Sequence, residues 1–182
     1  TLAVAAAATA LLWAGSANAQ NNPQAPAAPE ARIALVIGNS NYQTAPKLAN
    51  PGNDAQSVAQ LLNSAGFEVT QATDLTRSDM IQVVQDFTNR VAARGPGAVA
   101  MVYYAGHGVQ VAGENYLLPV DAKISSPSDL PGNSLRLVDM MGTLESIPSR
   151  MRIVVLDACR NNPLPEINDA GRGLAIVDAP NG

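Results

Sequence analysis

The chain has a single cysteine, Cys159, and a single histidine, His107. A cysteine nucleophile needs a thiolate, and free cysteine is mostly protonated near neutral pH, so it needs a neighbouring base or positive field. It also needs an acid to protonate the leaving amine, and one imidazole supplies both roles. Gly106 and Gly108 flank the histidine, which frees the backbone path and lets a peptide approach. The backbone N–H groups of Gly108 and Cys159 are candidate donors for an oxyanion hole. Asp157, two residues before Cys159, shares its side of a strand. A carboxylate there suits a basic substrate residue and by itself opposes thiolate formation. On position alone the bland reading stands beside this one, because lone cysteines are often small buried residues and lone histidines often structural.

The elements that must position these residues follow from the apolar pattern. Ile33–Ile37, Ala98–Ala105 and Ile153–Leu156 are continuous apolar runs, predicted as strands buried on both faces. Asn53 and Asp54 stand where a helix N-cap belongs, with Ala55, Val58, Ala59 and Leu62 at helical spacing before Gly66. Residues 67–70 read as a short strand. Thr76 and Asp79 resemble a capping box ahead of a helix carrying Met80, Val83, Val84, Phe87 and Val91. A hairpin is expected over 109–121 around Gly113, and a third helix over 137–146. Alternating strands and helices predict an α/β fold with a mostly parallel sheet, whose ligands bind at the carboxyl ends of the strands. His107 and Cys159, 52 residues apart, both follow such ends.

Composition narrows the function classes. With 47% apolar and 14% charged residues the chain is not disordered. Its net charge of −4 and lack of basic runs argue against nucleic-acid binding. One cysteine and one histidine exclude a disulfide framework, a Cys-rich zinc site and paired-histidine metal motifs, so no metal site is expected. Residues 1–19 carry no charge and end in Ala17-Asn18-Ala19, the pattern of a signal-peptide cleavage site. They are read as a leader truncated at its N-terminus, which predicts an exported, periplasmic or secreted protein without a stable membrane span once the leader is removed. An uncleaved anchor or a buried helix is the alternative. Residues 20–31, with three prolines, read as a linker, and residues 32–182 as the folded domain.

Two segments then carry a family resemblance. Tyr103-Tyr104-Ala105-Gly106-His107-Gly108 and Leu156-Asp157-Ala158-Cys159-Arg160-Asn161-Asn162 resemble the histidine and cysteine motifs of the caspase-like peptidases (peptidase C14), whose general spacing places the histidine about 50 residues before the cysteine. Ala34 through Tyr42, Lys47-Leu48, Asp54 and Tyr116–Asp121 most resemble the paracaspases and bacterial metacaspase-like (orthocaspase) proteins. The resemblance implies a three-layer caspase–hemoglobinase fold, with helices on both faces of the sheet and its C-terminal part missing from this chain. It implies a Cys159–His107 dyad, with an oxyanion hole from Gly108 and Cys159 and substrate-binding acids at Asp157 and Asp54. True caspases have Gln at position 157 and cleave after Asp. This chain departs from them and resembles the branches that cleave after Arg or Lys. The substrate implied is a peptide or protein with a basic residue before the scissile bond. Asp54 has an equal alternative as an N-terminal helix acid. Self-processing near Arg160 or at Arg172 is a further expectation. No cofactor is implied. Calcium dependence and oligomeric state stay open, and no EF-hand-type loop is present. A catalytically inactive caspase-like scaffold or peptide-binding module is the alternative function. A dinucleotide binder is disfavoured, because G-x-G-x-x-G is incomplete.

Overall fold

The computed structural model describes residues 30–158 and 163–164. Its centre is a four-stranded parallel sheet in the order β2-β1-β3-β7. β1 is Arg32–Gly38, β2 Glu68–Thr73, β3 Val99–Gly106 and β7 Met151–Ala158. Side chains alternate across a strand, so β1 feeds two cores. Ile33, Leu35 and Ile37 join Ala100, Val102 and Tyr104 beneath α2 (Arg77–Arg94) and α4 (Leu137–Glu145). Ala34 and Val36 join Tyr103 and Ala105 beneath α1 (Pro51–Ser64). These are the three layers expected, with helices on both faces.

A small antiparallel sheet stands beside the main one. β4 (Gly108–Val111) and β5 (Glu114–Leu117) form a hairpin, and β6 (Leu135–Arg136) adds to β5. The turn residues Ala112 and Gly113 both have positive φ, 51° and 84°. That is the backbone of a two-residue turn whose twist matches its strands. The strands are shorter than 109–121, ending at Gly108 and Leu117, and one further ladder bond runs from Leu118 N–H to the His107 carbonyl. Pro127–Asp129 forms a 3₁₀ turn leading into α3 (Leu130–Asn133), a segment the apolar pattern does not announce.

Three expectations need correction. α1 begins at Pro51 with Asn50 as N-cap, so neither Asn53 nor Asp54 caps it. Proline at the first helical position loses only an N–H that has no helical partner anyway. β2 runs on to Thr73 because it pairs with β1 as far as Gly38. β7 is not buried on both faces. Val154 and Leu156 pack on the core under α2 and α4, whereas Met151 and Val155 are 52% and 38% exposed on the α1 side. Among the described residues α1 packs chiefly on β1, β2 and β3 on that side.

The loop after β1 is held by two polar side chains. Buried Asn39 accepts from Leu75 N–H (3.0 Å) and donates to the Leu118 carbonyl (3.1 Å), while its own N–H donates to the Ala105 carbonyl (2.9 Å). It therefore joins the carboxyl ends of β1 and β3 to the β2–α2 link. Asp74, at φ 53°, accepts from the Ser40 and Asn41 N–H groups and from the Asn41 amide. Its carboxyl sits below the usual range: burial pushes it up, but the bonds from Asn41 and Ser40 and the charge of Lys47 outweigh that.

Candidate active site

His107 lies between β3 and β4, where the chain crosses from the large sheet to the small one. Two tyrosine hydroxyls fix its backbone. His107 N–H donates to Tyr42 Oη (2.7 Å), and Tyr104 Oη donates to the His107 carbonyl (2.8 Å). Those hydroxyls need the space beside Gly106, where an added Cβ would stand 2.6 Å from Tyr42 Oη and 2.7 Å from Tyr104 Oη. The first glycine of Gly-His-Gly is therefore required by close approach.

His107 is 4% exposed and its imidazole lies against the Tyr42 ring, with centroids 4.5 Å apart. Its Nε2 stands 2.8 Å from the Pro46 carbonyl oxygen. A carbonyl can only accept, so Nε2 carries the proton and, in the neutral ring, Nδ1 keeps a lone pair. Nδ1 is buried and has no hydrogen-bond partner among the described residues. Burial holds the His107 pKa below its usual 6.5, against the opposing effect of the Pro46 carbonyl. The ring is thus oriented, its charged form is disfavoured, and its basic nitrogen has no partner among the described residues. The Pro46 carbonyl as orienter was not legible in the sequence, since any residue type offers one.

Gly108 opens β4. Leu118 N–H bonds the His107 carbonyl, so Gly108 and Leu117 form a non-hydrogen-bonded pair of the hairpin. The Gly108 N–H therefore points away from β5 and is not consumed by that ladder. On β7, the register sets Asp157 beside Ala105 and Ala158 beside Gly106. The residues just before His107 and Cys159 are side by side. Cys159 itself, Arg160 and Arg172 lie outside the described residues, as do the leader and most of the linker.

Asp54 and Asp157 come together. A pocket of about 190 Å³ is lined by Leu48, Ala49, Asn50, Pro51, Asp54, Ala105 and Asp157. Its acids come from the first turn of α1 and the end of β7. Tyr103 Oη donates to Asp157 Oδ2 at 3.0 Å. Burial pushes the Tyr103 phenol up to about 12, with the bond to Asp157 and the charges of Asp157 and Asp54 adding to it. Both carboxylates are thus close enough to act on one hydroxyl. Among the described residues no three His, Cys, Asp or Glu side chains converge to hold a metal ion, and no helix is long and apolar enough to cross a membrane.

Three layers around a parallel sheet, with an oriented imidazole and an acidic pocket at its carboxyl edge, define an α/β domain of the caspase type. The chain belongs to the caspase domain family (Peptidase_C14), whose model matches residues 31–178, and so to a family of cysteine peptidases. It is 31% identical over 148 residues to the human mucosa-associated lymphoid tissue lymphoma translocation protein 1, covering 81% of this chain and 17% of that protein. It is 29% identical over 168 residues to the paracaspase of Dictyostelium discoideum, covering 81% of this chain and 37% of that one. The chain thus spans a minor part of these relatives' length. A crystal structure of a Geobacter sulfurreducens protein matches with a TM-score of 0.56 at 23% identity, over 71% of this chain and 50% of that one, a likeness of fold.

Proposed function

We propose that the protein is a cysteine endopeptidase that uses Cys159 and His107 to cleave after Arg, and secondarily Lys. The observation that carries the proposal is the buried Nδ1 of His107, without a partner among the described residues, at the strand end where Gly106 and Ala158 lie in register. In this reading Nδ1 takes the proton of the Cys159 thiol, and the sulfur attacks the scissile carbonyl carbon. The Gly108 and Cys159 N–H groups stabilise the resulting oxyanion. The C–N bond then breaks as the imidazolium gives its proton to the leaving amine. Water, deprotonated by His107, attacks the thioester and releases the new carboxyl and the thiol. Asp54 and Asp157 receive the basic side chain, whose positive charge also offsets the field that opposes the thiolate.

The reading extends to the rest of the chain. Residues 1–19 are an export leader, 20–31 a linker and 32–182 the peptidase domain. Arg172, between two glycines, is a self-processing site.

The test is hydrolysis of arginyl, lysyl and aspartyl reporters by the full-length protein and by its Cys159→Ala and His107→Ala variants. Arginyl turnover lost in both variants supports the proposal. Equal turnover in all three proteins ends the peptidase reading, and a preference for the aspartyl reporter ends the basic-pocket reading. Mass spectrometry of purified wild type beside Cys159→Ala tests Arg172, because a cut persisting in the variant is not self-cleavage.

A further inference from the structure

A second cavity, of about 440 Å³, is lined by Thr44, Pro46, Lys123, Ile124, Ser125, Pro163 and Leu164. It shares no residue with the acidic pocket. The loop after β1 supplies walls to both, Thr44 and Pro46 to this cavity and Leu48 to Pro51 to the other. Pro46, the last wall residue of the first stretch, also holds the His107 ring through its carbonyl. The far wall is tied to the near one: Gln43 N–H donates to the Val120 carbonyl (2.8 Å), and Thr44 Oγ1 donates to the Ala122 carbonyl. The cavity volume falls within the range of ligand-binding clefts, roughly 300–1,000 Å³.

Its chemistry is the reverse of its neighbour's. Pro46, Ile124, Pro163 and Leu164 give it apolar walls, and Thr44 and Ser125 give hydroxyls. Its one charged lining residue is Lys123, which has no ion-pair partner among the described residues. The proton for the leaving amine comes from His107, so the departing peptide must pass that ring. The acidic pocket receives the residue before the scissile bond, which leaves the cavity beside Pro46 for the residues after it.

We propose that this cavity is the leaving-group subsite and that Lys123 selects an acidic residue, with Glu preferred over its amide and over Lys, at the first two positions after the cut. The proposal rests on the peptidase reading and deepens it. The preferred segment then carries a basic residue before the scissile bond and an acidic one after it, matching the two pockets in opposite sign.

The test uses internally quenched peptides with Arg before the cut and Glu, Gln or Lys after it, with the full-length protein and its Lys123→Glu variant. Glu is expected to exceed Gln, and Gln to exceed Lys, each in kcat/KM by about two- to fivefold, the scale of a solvent-facing ion pair. The order should compress as salt rises, because exposed charges are screened. It should reverse in Lys123→Glu. Equal rates for the three peptides, or an order unchanged in Lys123→Glu, overturns the proposal. A small arginyl reporter that does not extend past the cut separates the two readings, since its failure in the wild type counts against the peptidase. In that case binding of the same peptides, fluorescently labelled, to Cys159→Ala and to Cys159→Ala with Lys123→Glu decides the subsite. Affinity that ranks Glu first and reverses with the lysine change supports it, and affinity indifferent to the charge overturns it.

Discussion

His107 is held by its neighbours in the form a base requires. Burial disfavours the imidazolium, and the Pro46 carbonyl fixes the proton on Nε2. A histidine with a lowered pKa keeps its neutral form to lower pH. The acid limb of kcat/KM for an arginyl substrate is therefore expected below pH 6.5, the unperturbed value. In the proposed mechanism that limb belongs to the Cys159–His107 pair as a unit, and a midpoint above 6.5 would contradict a neutral resting base. The same shift affects stability. Unfolding exposes a histidine that binds a proton more readily, so the unfolded state takes up more protons below pH 6.5, and this contribution to stability falls as the solution is acidified. Tyr42 is the residue to change beside it. Tyr42→Phe removes the acceptor of the His107 N–H and leaves a buried donor unsatisfied, at a cost of about 1–3 kcal/mol. Urea denaturation reads that cost, and reporter kcat should fall more than KM changes, because the ring and not the acidic pocket is disturbed.

Among the elements, α1 carries Asp54 in its first turn, facing Asp157 across one pocket. Gly38 ends β1 under that turn, and an added Cβ would lie 2.5 Å from the Pro51 carbonyl oxygen and 2.8 Å from Ala55 Cβ. Both contacts are with atoms that cannot swing aside. Gly38→Ala should push α1 outward, destabilising the protein by about 1–3 kcal/mol, the usual range for overpacking. It should also raise KM for arginyl substrates through the displaced Asp54. Denaturation and steady-state kinetics check the two effects, and an unchanged KM would detach Asp54 from the pocket's function. The residues of the Gly38-Asn39-x-Asn41-Tyr42 segment also find their reasons here. Asn39 and Asn41 make the turn across the strand ends, and Tyr42 reaches the histidine from it.

At the scale of the whole molecule, the strands differ in how they are covered. Val102 in β3 is 1% exposed and Val155 in β7 is 38% exposed, although both lie in apolar runs of similar composition. Val102→Thr buries a hydroxyl in an apolar core and is expected to cost about 1–3 kcal/mol. Val155→Thr should stay within about 0.5 kcal/mol, as surface substitutions do. Thermal or denaturant unfolding of the two variants makes the comparison. Equal costs would mean that β7 is covered on both faces. An apolar run reports that a strand can be buried, but its position in the sheet sets how much of it is. That is why the order of elements was legible from the chain while the exposure of β7 was not.

The layered α/β order and the strand-end placement of His107 were determined by the sequence alone. Apolar runs and helical periods express local preferences and burial, and carboxyl strand ends are where such sheets bind ligands. The placement of Asp157 near the carboxyl end of β7 was legible for the same reason. Asp54 had two equal readings in the sequence, helix cap or pocket acid. The tertiary structure removed the cap by starting α1 at Pro51, and it set Asp54, a first-turn acid, in one pocket with Asp157. The Pro46 carbonyl on the imidazole and the Tyr42 and Tyr104 hydroxyls about Gly106 were likewise decided by folding. These contacts join segments that sequence separation keeps apart, and main-chain groups carry no residue-type signal.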